Sequence, residues 1–164
     1  MFKRQELFAN AGLTPLQQAA LLQRLFPARN LHDQPDYQYT PGECLLIWLA
    51  MTLERGRLLD QDATDFVLQR ASVDITAYGA NCYENARAGG VPEAFVVVIC
   101  DRNYVTWTGL EGFIDLRQAT ACTCLPHEAL VSHSINLRAL YARCAVQCAE
   151  AAQSEQENDS SITD

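Results

Sequence analysis

The residues best suited to chemistry lie between positions 122 and 133, where two cysteines and two histidines occur close together. Cys122 and Cys124 are separated by one residue, and His127 and His133 follow. Zinc accepts thiolate and imidazole ligands, but structural zinc sites usually use cysteines separated by about two to four residues. Because a closer pair clamps a tetrahedral ion poorly, we expect the two thiols to lie on a strand without a metal ion. Zinc binding is the alternative.

A cysteine nucleophile is the second chemistry that this segment suggests. Such a nucleophile needs an imidazole beside the thiol and an acid that orients the imidazole. Cys124, His127 and Glu128 supply these groups, but no flanking motif supports the arrangement. The sequence also contains no P-loop, no glycine-rich dinucleotide turn and no G-x-S-x-G motif. We therefore predict a protein that is not an enzyme and that holds no cofactor.

The cysteines as a group indicate a reducing environment. Their number is odd, and Cys144 and Cys148 are four residues apart, on one face of a predicted helix, where they would fill the core or a dimer seam. No apolar segment follows the basic residues at the start of the chain, so we expect no secretory signal. These features predict a cytoplasmic protein with reduced thiols. The seven cysteines are Cys44, Cys82, Cys100, Cys122, Cys124, Cys144 and Cys148.

Composition and charge restrict the class of protein. Hydrophobic residues make up 49 % of the 164 residues and charged residues 20 %, which is typical of a globular chain. The longest apolar run, residues 44–53, is shorter than the ~20 residues of a membrane-spanning helix, so we expect no membrane association. The formal net charge is −8, and residues 1–71 carry only −1 of it. A basic face is therefore expected only in the N-terminal part.

Two segments of the N-terminal part carry the same signal for the start of a helix. In each, a threonine is followed by proline and, two residues later, by Gln17 or Glu43, which is the pattern of a capping box with proline at the first helical position. The first predicted helix covers residues 14–26. The second covers residues 41–55 and is apolar on all sides, which predicts the central core helix. A short helix over residues 2–11, closed by Gly12, is expected before them.

The remaining elements complete a mainly helical α+β fold. We predict a loop or small hairpin over residues 28–39, a helix from Asp60 or Asp62 to about Ala71, and a separate, weaker helix over residues 74–88. The β-branched run after residue 94 predicts a hairpin over residues 95–108, and a further strand is expected within 113–124. Asn136 is expected to cap a long last helix. These predictions give a helical module over 1–71, a second module over 72–152 and a disordered acidic tail over 153–164.

The order of the N-terminal elements resembles the winged helix-turn-helix of MerR-like regulators, in particular the divergent ones of phages and prophages. Residues 7–14, with the turn at Gly12, match the entry of the helix-turn-helix. Residues 37–43 match the exit of the wing and the cap of the next helix, and residues 53–56 match the end of that helix. The resemblance covers about residues 5–71.

The resemblance implies a transcriptional regulator that binds DNA, with residues 14–26 as the recognition helix and 28–39 as the wing. Because two or three cationic contacts per chain bind DNA weakly, we expect a homodimer. The alternative is a phage-type accessory or inhibitor protein that binds a host protein through an acidic surface. The residues expected to contact DNA are Lys3, Arg4, Gln17, Gln18, Arg24, Arg29, His32 and Tyr37.

Overall fold

A computed structural model describes most of the N-terminal part of the chain, the sheet strands and the last helix. The described part is mostly helical, as the predicted class requires, and its strands form two small sheets. In chain order its elements are β1 (Phe2–Lys3), α1 (Arg4–Phe8), α2 (Pro15–Leu25), β2 (Gln38–Tyr39), α3 (Pro41–Arg55), α4 (Gln61–Asn85), β3 (Ala94–Ile99), β4 (Tyr104–Gly109), β5 (Ser132–Asn136) and α5 (Leu137–Ser160). The described residues are 1–29, 34, 36–56, 59, 61–85, 90, 93–99, 104–109 and 132–160.

Helix α3 is the centre of the core, as its all-round apolar sequence predicts. Ten of its 15 residues are buried. It packs against α4 on one side and against α5 on another, where the rings of Trp48 and Tyr141 meet edge to face at 5.9 Å. The capping box predicted at its start is present, since the Thr40 hydroxyl accepts a hydrogen bond from the Glu43 amide. Local sequence therefore sets where α3 begins, and burial on several sides stabilises it.

Two glycines allow α3 and α4 to approach closely. A Cβ atom added to Gly42 would lie 2.2 Å from the carbonyl oxygen of Thr76. One added to Gly79 would lie 2.8 Å from both the Gly42 Cα and the carbonyl oxygen of Pro41. No side chain fits at either position, so both glycines are requirements of the helix contact.

Helix α4 is one continuous helix, so the prediction of separate helices over 60–71 and 74–88 is wrong. The residues around position 73 include neither proline nor glycine, and nothing local interrupts the backbone hydrogen bonds there. The predicted module boundary after residue 71 falls inside this helix. Since α5 packs on α1 and α3, the described residues share one hydrophobic core.

The N-terminal residues form a strand where the sequence predicts helix. Phe2 and Lys3 pair antiparallel with Tyr39 and Gln38, and the predicted helix over 2–11 is reduced to the five residues of α1. The Phe2 ring packs edge-on against Trp48, with the centroids 5.8 Å apart. Strand β2 lies at the end of the segment 28–39, which is predicted as a loop or small hairpin. Its partner is β1, which is 36 residues earlier in the chain.

The turn between α1 and α2 follows the prediction. Gly12 has a φ of +57°, a conformation that favours glycine, and the Thr14 hydroxyl accepts a hydrogen bond from the Gln17 amide at 3.3 Å. At the other end of α3, Gly56 has a φ of −67°. Gly56 therefore ends α3 without the left-handed conformation that is common at helix ends.

The second sheet has β3 in the middle, paired antiparallel with β4 and β5. The hairpin of β3 and β4 is the one predicted, whereas β5 is not predicted; the strand expected within 113–124 lies outside the described residues. Asn136 caps α5 as predicted, because its Oδ1 accepts a hydrogen bond from the Ala139 amide at 3.0 Å. The prediction of disorder from residue 153 is wrong, since α5 continues to Ser160. Its glutamine and glutamate residues are adequate helix formers.

None of the helices in the described ranges combines the length and apolar character needed to cross a bilayer.

Candidate interaction surfaces

A buried carboxylate organises the segment that the sequence assigns to the wing. The Glu43 side chain is only 6 % exposed and forms an ion pair with Arg29. Its Oε2 accepts hydrogen bonds from the Thr40 amide at 2.7 Å and the Thr40 hydroxyl at 2.9 Å. Its Oε1 accepts one from the Tyr37 hydroxyl at 3.1 Å. Glu43 therefore closes the capping box of α3 and ties two expected DNA contacts, Arg29 and Tyr37, to the core.

The ionisation of this cluster follows from these contacts. Burial alone would raise the pKa of Glu43, but the hydrogen bonds from Thr40, Arg29 and Tyr37 outweigh it and lower that pKa. The hydrogen bond to Glu43 raises the pKa of Arg29. Burial, followed by the charge of Glu43, raises the pKa of Tyr37. A carboxylate and a guanidinium thus neutralise each other at neutral pH.

Arg24, the only charged residue of α2, is also paired. It forms an ion pair with Glu54 of α3, and its Nε lies 3.1 Å from Oδ1 of Asp65 in α4, outside hydrogen-bond geometry. The exposed fraction of the Arg24 side chain is 21 %. One guanidinium therefore joins three helices. Arg24 and Arg29, both expected to contact DNA, are thus each paired with a carboxylate of the same fold, and their contact with DNA stays a prediction.

Two of the three glutamines of α2, Gln17 and Gln18, make hydrogen bonds to the backbone. The Gln17 Oε1 accepts a hydrogen bond from the Thr14 amide at 2.9 Å, which completes the capping box of α2. The Gln18 side-chain amide donates to the carbonyl of Leu13 at 3.1 Å. Their roles are thus local. His32, the remaining expected contact in the wing, lies outside the described residues.

Lys3, Arg4 and Arg55 lie near the start of α2. Lys3 is exposed, and Arg4 places its Nη2 3.5 Å from the carbonyl oxygen of Pro15. The Nη2 atom of Arg55 lies 3.1 Å from the position that a Cβ on Gly12 would occupy. Two guanidinium groups therefore lie beside the turn between α1 and α2. The position of Arg55 depends on the packing of α3 against this turn.

The outer side of α4 carries exposed acids and exposed apolar groups together. Val73 is 78 % exposed and Tyr83 is 55 % exposed. Asp62, Asp74 and Glu84 are also exposed, and none of the three is paired with a charged residue of the described ranges. Ten residues of α-helix separate Val73 from Tyr83, a distance of about 15 Å. These five residues are named the acidic face. Sequence reasoning missed it because a break was predicted near residue 73.

A groove of about 550 Å³ lies between α1, α3 and α5. Leu7, Trp48, Met51 and Leu140 line its apolar floor, and Arg55 and Arg143 lie along it. The name arginine groove is used for these six residues, and Cys144 and Cys148 also line the groove. Three elements that are distant in sequence form it, so no local pattern could have indicated it.

The thiols of the groove are unreactive by their environment. Burial raises the pKa of Cys144 to about 11, although the charge of Arg143 lowers it in part. Burial likewise raises the pKa of Cys148 to about 12, and its Sγ donates to the carbonyl oxygen of Glu6 at 3.5 Å. The prediction that the pair fills the core is confirmed for Cys148, which is 3 % exposed, while Cys144 is half-buried.

The cysteines and histidines considered as alternative zinc ligands lie largely outside the described residues. Cys122, Cys124 and His127 lie in the range 110–131, and His133 is described only by its backbone in β5. Within the described ranges, no group of three or more histidine, cysteine, aspartate or glutamate side chains is placed to hold a metal ion.

Comparisons with protein families, with curated proteins and with solved structures each find no match to this chain.

Proposed function

We propose that this protein acts by binding a basic surface of a partner protein, as an accessory or inhibitor protein does, and that the acidic face of α4 makes the contact. The observation that supports this most directly is the pairing of Arg24 and Arg29 with carboxylates of the same fold. Arg24 and Arg29 are already paired, whereas Asp62, Asp74 and Glu84 of the acidic face have no charged partner among the described residues.

The composition of the acidic face suits a protein partner. Val73 and Tyr83 offer apolar contact area, and tyrosine is enriched at protein interfaces. Asp74 and Glu84 directly follow Val73 and Tyr83 in the chain and, with Asp62, add negative charge to α4, which favours encounter with a positively charged surface. The net charge of −8 acts in the same direction over longer distances.

Binding to DNA as a MerR-like winged helix-turn-helix regulator is the second candidate. One observation favours it: α2 contains no acidic residue, and Arg4 and Arg55 lie beside the turn at its N-terminal end. In this candidate α2 enters the major groove and these two guanidinium groups contact phosphates. A homodimer would double the phosphate contacts.

The test compares two double variants that change the net charge equally. Asp74→Lys with Glu84→Lys reverses the acidic face, and Asp36→Lys with Glu150→Lys is the matched control elsewhere on the surface. Proteins captured by the wild-type chain are identified by mass spectrometry, purified and titrated against all three chains at ~50 and ~200 mM salt. We expect the control to bind as the wild type does and the α4 variant to lose binding.

A mobility-shift titration with DNA runs in parallel at the same salt concentrations. The second candidate would replace the first if the wild type retards DNA, the double variant Arg4→Met with Arg55→Met does not, and the α4 variant retards DNA as the wild type does. A purified partner that binds the α4 variant and the wild type equally would also reject the role of the acidic face.

A further inference from the structure

The arginine groove has the size and lining of a small-molecule site. Its volume of about 550 Å³ lies within the range of roughly 300–1,000 Å³ that is usual for such sites. The floor is apolar and rigid, because Leu7 and Trp48 belong to the core and are 4 % and 3 % exposed. Met51 and Leu140 are partly buried beside them and complete the apolar surface.

The charges along the groove select an anion. Neither Arg55 nor Arg143 is paired with a carboxylate of the described residues. Among the described residues, the one acid that lines the groove is Glu6, and its Oε2 already accepts a hydrogen bond from the Lys3 amide at 2.8 Å. Arg55 and Arg143 are both exposed, so their guanidinium groups can pair with a carboxylate or phosphate at the edge of the apolar floor.

The position of Arg55 is determined by the fold. A Cβ atom on residue 12 would lie 3.1 Å from its Nη2, so the absence of a side chain at Gly12 leaves room for the guanidinium. Arg55 lies in the last turn of α3 and Arg143 in the second turn of α5. The two cations therefore approach the groove from different elements.

We propose that the arginine groove binds a small organic anion with an apolar body, whose carboxylate or phosphate meets Arg55 and Arg143 while the body lies over Trp48 and Met51. This site is separate from the acidic face of α4, so it goes beyond the proposed function and does not depend on it. The apolar floor and the two unpaired cations together favour an amphiphilic anion over a neutral ligand or a bare inorganic ion.

Trp48 provides a readout inside the groove. The chain has two tryptophans, so Trp107→Phe leaves Trp48 as the only tryptophan, whose emission is excited apart from that of the tyrosines. This full-length variant is titrated with octanoate, with 1-octanol as the uncharged match and with inorganic phosphate as the anion without an apolar body. We expect a saturable change in Trp48 emission with octanoate, at concentrations at least about tenfold lower than for the other two probes. Calorimetry on the wild-type chain repeats the comparison without the tryptophan change.

Arginine variants locate the anion. Arg55→Met and Arg143→Met keep an apolar side chain and remove the charge. Each is expected to weaken octanoate binding about tenfold, which corresponds to the lower end of the free energy that a hydrogen bond to a charged group contributes. Arg138→Met is the control, because Arg138 lies on α5 outside the groove and pairs with Glu93 at 2.7 Å. Its octanoate binding is expected to equal that of the wild type.

Several results would overturn the proposal. The first is equal binding of octanoate and 1-octanol, and the second is unchanged octanoate binding in both Arg55→Met and Arg143→Met. The third is the absence of saturable octanoate binding by the full chain, which would indicate that another part of the chain covers the groove. A dimer in analytical ultracentrifugation that dissociates in Arg143→Met and binds no octanoate would assign the groove to a second copy of the chain.

Discussion

Replacing Glu43 by glutamine separates the two roles of this side chain. Gln17 of α2 shows that a glutamine completes a capping box, since its Oε1 accepts a hydrogen bond from the Thr14 amide. In Glu43→Gln the same contact to the Thr40 amide is retained. What is lost is the charge that pairs with Arg29 and accepts the hydrogen bond from Tyr37.

The magnitude follows from the burial of the two partners. A hydrogen bond to a charged group contributes about 1.5–3 kcal/mol. Glu43 is 6 % exposed, but Arg29 is 52 % exposed, so solvent screens part of the attraction. We expect the free energy of unfolding to fall by about 1–2 kcal/mol. For a chain of this length that corresponds to a decrease in Tm of about 2–8 °C.

The dependence on pH identifies the charge as the cause. The pKa of Glu43 is lowered in the folded protein, so the ionised side chain stabilises the fold above its ordinary value of 4.5. This contribution is lost as the pH falls through the lowered pKa. Thermal unfolding followed by circular dichroism should therefore show the full difference between wild type and Glu43→Gln at pH 7, and a smaller one as the pH falls below about 4.

Gln17→Ala is the matched control, because it removes the corresponding side chain of the other capping box without changing a charge. Gln17→Ala is expected to lower the free energy of unfolding by about 0.5–1 kcal/mol, and this decrease should not vary with pH. Equal Tm values for wild type and Glu43→Gln at pH 7, or a difference that stays constant down to pH 3, would refute the assigned role of the Arg29–Glu43 pair.

Leu49→Asp is expected to abolish folding, because Leu49 is fully buried. An unpaired carboxylate there costs several kcal/mol, against a total free energy of unfolding of roughly 5–15 kcal/mol. A circular dichroism melt like that of the wild type would contradict this expectation. Gly42→Ala should lower the Tm by several degrees, since the added carbon would lie 2.2 Å from a carbonyl oxygen of α4, while Gly56→Ala should be nearly neutral. Cys144 and Cys148, with pKa values raised to about 11 and 12, should react with iodoacetamide at pH 8 far more slowly than a free peptide cysteine, as measured by peptide mass spectrometry.

The sequence by itself determined the parts of the fold that depend on neighbouring residues. The capping boxes at Thr14 and Thr40, the turn at Gly12 and the Asn136 cap of α5 all use hydrogen bonds or backbone conformations within four residues. The apolar run of α3 predicted its burial for a similar reason, since a helix without a polar side must be covered on all sides. These features can be predicted from the sequence because the residues that form each of them lie within one short segment.

Only the tertiary structure decided what the charged residues do. Arg24 meets Glu54 and Asp65, and Arg29 meets Glu43, across 14 or more residues of chain. A guanidinium has the same sequence signature whether it faces phosphate or a carboxylate of its own fold. The choice depends on which acid the packing of α2, α3 and α4 brings within reach, and that packing also aligns Arg55 with Arg143 along one groove.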